Sequence, residues 1–138
     1  MITGFRHVSI VVPDLDRAAR TLEEKFGLKV GKPMVNDGQG VQLAYIDVGE
    51  AKIELMEPTR PDSPVSKFLE RNPRGGIHHF SLGVDDVAQT ARQLAAANVR
   101  VLGDGKPQTN IAGEPIAFIH PADFLGALVE LEQDDGKD

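Results

Sequence analysis

The sequence predicts an α+β fold built from two βαβββ modules. Three observations point there: a stretch that occurs twice, a strand-like alternation within each copy, and an amphipathic helix after each copy. Residues 7–14 read His-Val-Ser-Ile-Val-Val-Pro-Asp, and residues 79–86, 72 positions on, read His-Phe-Ser-Leu-Gly-Val-Asp-Asp. Self-similarity over about half the chain marks a duplicated structural unit. In the first copy His7 and Ser9 fall on one face of a strand, with Val8, Ile10 and Val12 on the other. His79 and Ser81 repeat this against Phe80, Leu82 and Val84.

The first helix is expected to open at Asp14, a good N-cap, with Leu15, Ala18, Ala19, Leu22 and Phe26 at helical spacing. The second opens near Asp85 or Asp86 and carries Val87, Ala91, Leu94 and Ala95. Gly27 and Asn98 end them. Short strands follow each helix, at 28–35, 41–48 and 51–57 in the first module and at 99–103, about 114–119 and 126–132 in the second. Asp37-Gly38, Gly49-Glu50, Gly103-Asp104-Gly105 and Pro121 mark turns between them. Module 1 spans about 3–58, a linker about 59–75, and module 2 about 76–132, all within a single domain over 1–138. The linker holds Pro61, Pro64 and Pro73 and is expected to form a short helix from Pro64 to Asn72, with Ser63 as N-cap and Pro64 at N1.

Composition narrows the function. At 138 residues the chain suffices for one domain with a real core. With 15 Lys and Arg against 21 Asp and Glu, its net charge of −6 argues against a nucleic-acid partner, which needs a positive surface. The absence of cysteine excludes disulfides, thiolate zinc sites and cysteine nucleophiles. The apolar run Val8 to Val12 is too short for a signal-peptide core or a membrane span, so a cytoplasmic protein without a membrane partner is expected.

The last strands of the two modules also correspond. Lys52-Ile53-Glu54-Leu55-Met56 and Leu128-Val129-Glu130-Leu131-Glu132 each place a Glu between apolar neighbours. Such a Glu is either exposed on an open sheet face or held inside by something positive, because a buried carboxylate without a partner costs several kcal/mol, about 3–5. Two His and two Glu at matched points suggest a divalent metal, with positions left open for catalysis. Other candidates are weaker. His78 points away from His79, which favours packing. His120, beside Pro121, reads as a loop-fixing residue. Ser9 and Ser81 form no triad and read as small lining residues. Gly38-Gln39-Gly40 and Arg74-Gly75-Gly76 read as turns rather than phosphate loops.

At these residues the chain resembles the vicinal-oxygen-chelate (glyoxalase/bleomycin-resistance) superfamily and, within it, the methylmalonyl-CoA epimerase family. The closer likeness rests on His7-Val-Ser-Ile-Val-Val-Pro-Asp-Leu, Asp62-Ser-Pro-Val-Ser-Lys-Phe-Leu, Gly75-Gly-Ile-His-His79, Phe118-Ile-His-Pro-Ala-Asp123 and Leu128-Val-Glu-Leu-Glu132. The resemblance implies a curved eight-stranded mixed sheet that cups one divalent ion (Co, Mn, Ni or Zn), with His7, Glu54, His79 and Glu130 as ligands. It implies a small-molecule CoA thioester as substrate, epimerised at C2 through a metal-stabilised enediolate, and a homodimer. Glu54 and Glu130 are then the groups that move the proton. Two departures stand out. Leu43 occupies a position where some family members carry a catalytic Glu, and Glu114 stands where Lys or Arg is common. Arg60, Lys67, Arg71 and Arg74 are the expected sources of positive charge for an anionic substrate. The alternatives are glyoxalase I, with the same ligand set, and a metal-free small-molecule-binding resistance protein of the same fold.

Overall fold

The computed structural model describes residues 1–134; the last four residues of the domain expected over 1–138 lie outside them. The elements run β1 (Ile2–Val11), α1 (Leu15–Phe26), β2 (Met34–Asn36), β3 (Val41–Val48), β4 (Ala51–Pro58), α2 (Ser66–Arg71), β5 (Gly76–Val84), α3 (Val87–Ala96), β6 (Gln108–Thr109), β7 (Pro115–Ile119) and β8 (Val129–Gln133). The βαβββ order is thus present twice. The strands form one mixed eight-stranded sheet in the order β2-β3-β4-β1-β5-β8-β7-β6.

The described residues divide into two compact units, His7–His78 and Met1–Arg6 together with the residues from His79 onward. The boundary falls inside β1, so the first residues of module 1 group with module 2. Within His7–His78, β1 pairs parallel with β4, and β4 and β2 pair antiparallel with β3. The other unit pairs β5 parallel with β8, and β7 antiparallel with both β8 and β6.

Both helices begin as their sequences predict. The Asp14 and Asp86 carboxylates accept from the backbone N–H groups of Arg17 (3.0 Å) and Gln89 (2.9 Å). A second acceptor, from the end of the module's last strand, meets each helix start. Glu57 accepts from Leu15 N–H and Gln133 from Val87 N–H, both at 3.1 Å. Two of the four N–H groups each helix leaves open at its start are satisfied this way. The packing faces follow the periodicity. Leu15, Ala18 and Leu22 of α1 pack with Val12, Ala44, Ile46 and Leu55, whereas Phe26, placed on that face by spacing, is 67% exposed. In the other unit Val87, Ala91 and Leu94 pack with Ala117, Ile119, Val129 and Leu131. Each fully buried Leu or Ile contributes about 1.5–3 kcal/mol.

Several expected elements are shorter than the sequence suggests, among them the last strand, which starts at Val129 rather than at 126. Of 28–35, only Val30 (a single bridge to Ile46) and Met34 onward pair, because Pro33 has no N–H to give a ladder. Of 99–103, only Val101 bridges, to Ile119, before Gly103, Asp104 and Gly105 turn the chain with positive φ. The linker helix starts at Ser66 rather than Pro64. The Ser63 hydroxyl donates to the Gln39 carbonyl at 3.0 Å and also accepts from Val65 N–H at 3.4 Å, so it holds the turn that leads into the helix.

Gly75 lies at φ +90°, where an added Cβ would sit 2.5 Å from the Val11 carbonyl oxygen. Gly27 also has positive φ (+68°) but open space around it. Gly27→Ala is therefore expected to cost only the left-handed conformation, about 1 kcal/mol. Gly75→Ala adds a backbone clash and should lower Tm clearly further, as thermal unfolding of the two variants will show.

Candidate functional site

Parallel pairing places Ser9 opposite Glu54, and β3 places Tyr45 opposite Glu54 from its other side. Aligned residues on neighbouring strands project to one face, so His7, Ser9, Tyr45 and Glu54 share a face of their unit. His7 Nε2 lies 3.7 Å from Glu54 Oε1, and the Ser9 hydroxyl donates to that same oxygen at 2.6 Å. The Tyr45 ring meets the His7 ring edge-on, centroids 6.2 Å apart. His7 and Glu54 are buried, and Ser9 has no exposure at all.

The other unit repeats the arrangement. Ser81 and Phe118 lie opposite Glu130 on its two sides. His79 Nε2 is 3.6 Å from Glu130 Oε1, and the Phe118 ring stands edge-on to His79 at 5.4 Å. His79 and Glu130 are buried. One contact differs. The Ser81 hydroxyl donates at 2.5 Å to Oε1 of Glu132, the residue two places beyond Glu130 on the same face. Glu132 pairs with Ile116 where module 1 pairs Met56 with Leu43, and its other oxygen is 4.0 Å from Arg6 Nε.

The donor chemistry fits a divalent metal. Imidazole and carboxylate are borderline-to-hard ligands suited to Co, Mn, Ni or Zn. Two donors each about 2.1 Å from one ion lie roughly 3–3.6 Å apart at ordinary coordination angles. The separation within each pair is close to that and longer than the 2.7–3.2 Å of an ordinary N–H···O hydrogen bond. His7, Glu54, His79, Glu130 and Glu132 each offer an atom that could serve as a ligand to an ion.

The chain is similar to known proteins along most of its length. Residues 6–118 match the model of the Glyoxalase/Bleomycin resistance protein/Dioxygenase superfamily. An ethylmalonyl-CoA/methylmalonyl-CoA epimerase of Cereibacter sphaeroides is 44% identical over 96% of this chain and 99% of its own length. The mitochondrial methylmalonyl-CoA epimerase of Dictyostelium discoideum is 39% identical over 96% of this chain and 79% of its own. Among solved structures, a variant of the Streptomyces coelicolor methylmalonyl-CoA epimerase in complex with 2-nitronate-propionyl-CoA superposes with TM-score 0.87. It is 36% identical, covering 97% of this chain and 96% of that one.

The remaining candidates take structural places. His78 packs edge-on against Phe68, ring centroids 5.3 Å apart. Arg60 bonds the Asp62 carboxylate (2.7 Å) and the Asp37 carbonyl (2.6 Å), and its guanidinium lies where a Cβ on Gly40 would be. Its charge thus holds the 37–40 turn, which leaves Lys67, Arg71 and Arg74 exposed on the linker. Glu114 is exposed and closes a turn on Asn110. Leu43 is buried with Val11, Val41, Met56 and Val65. Ser9 and Ser81, read as lining residues, instead hold carboxylates. Sequence reasoning missed Tyr45, Phe118 and Glu132 as neighbours of the pairs. Only Glu132 left a signal, since it shares the strand parity of Glu130. Among the described residues no helix is long and apolar enough to cross a membrane.

His120 fixes a loop, as expected: its Nδ1 accepts from Ala122 N–H at 3.1 Å. The same loop is tied by Asp123, which accepts from Arg100 Nε (3.0 Å), Nη2 (3.2 Å) and the backbone N–H (2.8 Å). The Arg100 side-chain bond, followed by its backbone bond, holds the Asp123 carboxyl down to about 2 from an ordinary 3.8. A depressed carboxyl pKa contributes stability above its unfolded value and loses it as pH falls toward the folded one. The Tm deficit of Asp123→Asn relative to the parent protein should be constant above pH 5 and shrink between about pH 4 and 2. A deficit unchanged at pH 2 would show that the charge on Asp123 contributes nothing.

Proposed function

The chain belongs to the glyoxalase/bleomycin resistance/dioxygenase superfamily and, within it, to the methylmalonyl-CoA epimerases, and from that premise we propose that it interconverts (R)- and (S)-methylmalonyl-CoA by removing and returning the C2 proton. It is an isomerase. The observation that carries the reading is the matched pair of buried His–Glu sets, His7 with Glu54 and His79 with Glu130. Together they would hold one divalent ion, Co, Mn, Ni or Zn. Such an ion, when bound, supplies Lewis acidity that favours negative charge on the thioester and carboxylate oxygens.

The protein's own part is proton transfer. Epimerisation needs a group on each face of the reacting carbon, one to take the proton and one to return it. Glu54 and Glu130 occupy equivalent positions in the duplicated halves, and we assign them these roles. Leu43 cannot take part: it has no ionisable group and is packed among apolar side chains. Exposed Lys67, Arg71 and Arg74 remain as local positive charge for an anionic CoA thioester on an acidic protein. Cytoplasmic location and a homodimer complete the proposal. The relatives' names favour the epimerase over glyoxalase I and over a metal-free binding protein.

Proton NMR of methylmalonyl-CoA in deuterated water with the metal-loaded protein tests the reaction. The C2 proton signal should disappear. Its persistence, with turnover of a glutathione hemithioacetal instead, would favour glyoxalase, and absence of any divalent-metal uptake would favour the binding protein. Glu54→Gln should cut the exchange rate about 100-fold or more while retaining part of the metal binding. Near-normal exchange in that variant would overturn the assignment of Glu54.

A further inference from the structure

Ser9 and Ser81 occupy the same position in the two copies of the repeat, each two residues after the histidine of its strand. Both are fully buried, and each lies opposite the Glu of its module's last strand. Their hydroxyls nevertheless serve different carboxylates. Ser9 donates at 2.6 Å to Glu54 Oε1, the oxygen that faces His7 Nε2. Ser81 donates to Oε1 of Glu132. The cause lies in the last strands. At the place two residues after the shared Glu, β4 has Met56, which offers no competing acceptor, and β8 has Glu132.

We propose that Ser9 is a positioning residue for the Glu54 carboxylate and that Ser81, its counterpart in the repeat, does not do this for Glu130. The inference deepens the metal-binding reading above and rests on it. A hydrogen bond to an ionised carboxylate is among the strong ones, and a buried one is shielded from competing water. A Glu side chain has three rotors, so a hydroxyl fixing one oxygen also fixes the direction of the other. Partners of this kind behind a metal ligand typically change metal affinity 10- to 100-fold. The duplicated halves therefore hold their carboxylates unequally, and one difference, Met56 against Glu132, produces the inequality.

The test uses the full chain stripped of metal with a chelator and titrated with Co2+ against a chelating dye. Thermal unfolding of each metal-free variant checks that it is folded. Ser9→Ala should weaken Co2+ binding by about 10- to 100-fold and shift the visible absorption bands of the bound ion, which report its ligand geometry. Ser81→Ala, which releases Glu132 and neither of the proposed carboxylate ligands, should weaken binding clearly less than Ser9→Ala. In a Glu132→Met background, where β8 carries the residue that β4 carries at Met56, Ser81→Ala should weaken binding too. That double variant tests the idea without altering Ser9. Parent-like binding by Ser9→Ala, or equal losses in Ser9→Ala and Ser81→Ala, would overturn the positioning role alone. No Co2+ uptake by the parent protein, or equal uptake by the parent and Glu54→Gln, would overturn the metal-binding reading itself.

Discussion

The structure depends on the register between the first and last strands of each module. With Ser9 opposite Glu54, and Ser81 opposite Glu130, each Glu faces the same side as the histidine two residues earlier on the first strand. A slip of one residue would turn both Glu side chains to the helix-covered face and bring Leu55 and Leu131 out of their cores. The apolar neighbours of each Glu prevent that slip. Leu55 packs with Leu15 and Ile46, and Leu131 packs with Val87 and Ile119. The core that stabilises each unit is thus also what places its charged face.

The same register reaches the helices. Because each last strand ends beside the start of its module's helix, Glu57 and Gln133 arrive at the open N–H groups of Leu15 and Val87. The helix start is then held by two side chains distant in sequence from each other, one from the capping Asp and one from the sheet. The correspondence of Asp14 with Asp86 and of Glu57 with Gln133 extends the duplication from the ligand face to the caps. It fails at two kinds of position. Met56 against Glu132 changes which carboxylate a serine holds, and Tyr45 against Phe118 puts a hydroxyl on one of two otherwise equivalent rings.

Much of the candidate site was legible because its residues recur at nearly equal intervals, 72 residues for the histidines and 76 for the glutamates. His7 and His79, and Glu54 and Glu130, stand out because their immediate neighbours toward the other face, such as Val8, Phe80, Leu55 and Leu131, are apolar. The N-caps Asp14 and Asp86 were legible for a local reason: an Asp before an amphipathic run satisfies donors three residues away. The partners of the ligands were less so. That Tyr45 faces Glu54 follows from cross-strand pairing, and a hydroxyl at Ser9 shows nothing about which acceptor it meets. Arg60 illustrates the same limit, since as a charge near the linker it suggested an anion contact, whereas the 37–40 turn captures it.

By itself the sequence determined the doubled βαβββ plan, the faces of β1 and β5, the two helix starts, and the four residues from which a metal site is proposed. These rest on periodicity and local hydrogen bonding, which neighbouring residues decide among themselves. Only the tertiary structure decided that β2 shrinks to three residues, that 99–103 keeps a single bridge while β6 forms at Gln108–Thr109, that Phe26 stays exposed, that Ser63 also bonds the Gln39 carbonyl, and that Ser9 and Ser81 hold different carboxylates. The serine contacts depend on which strand lies alongside at close range, and strands brought together from forty or more residues apart leave no periodic trace in the chain.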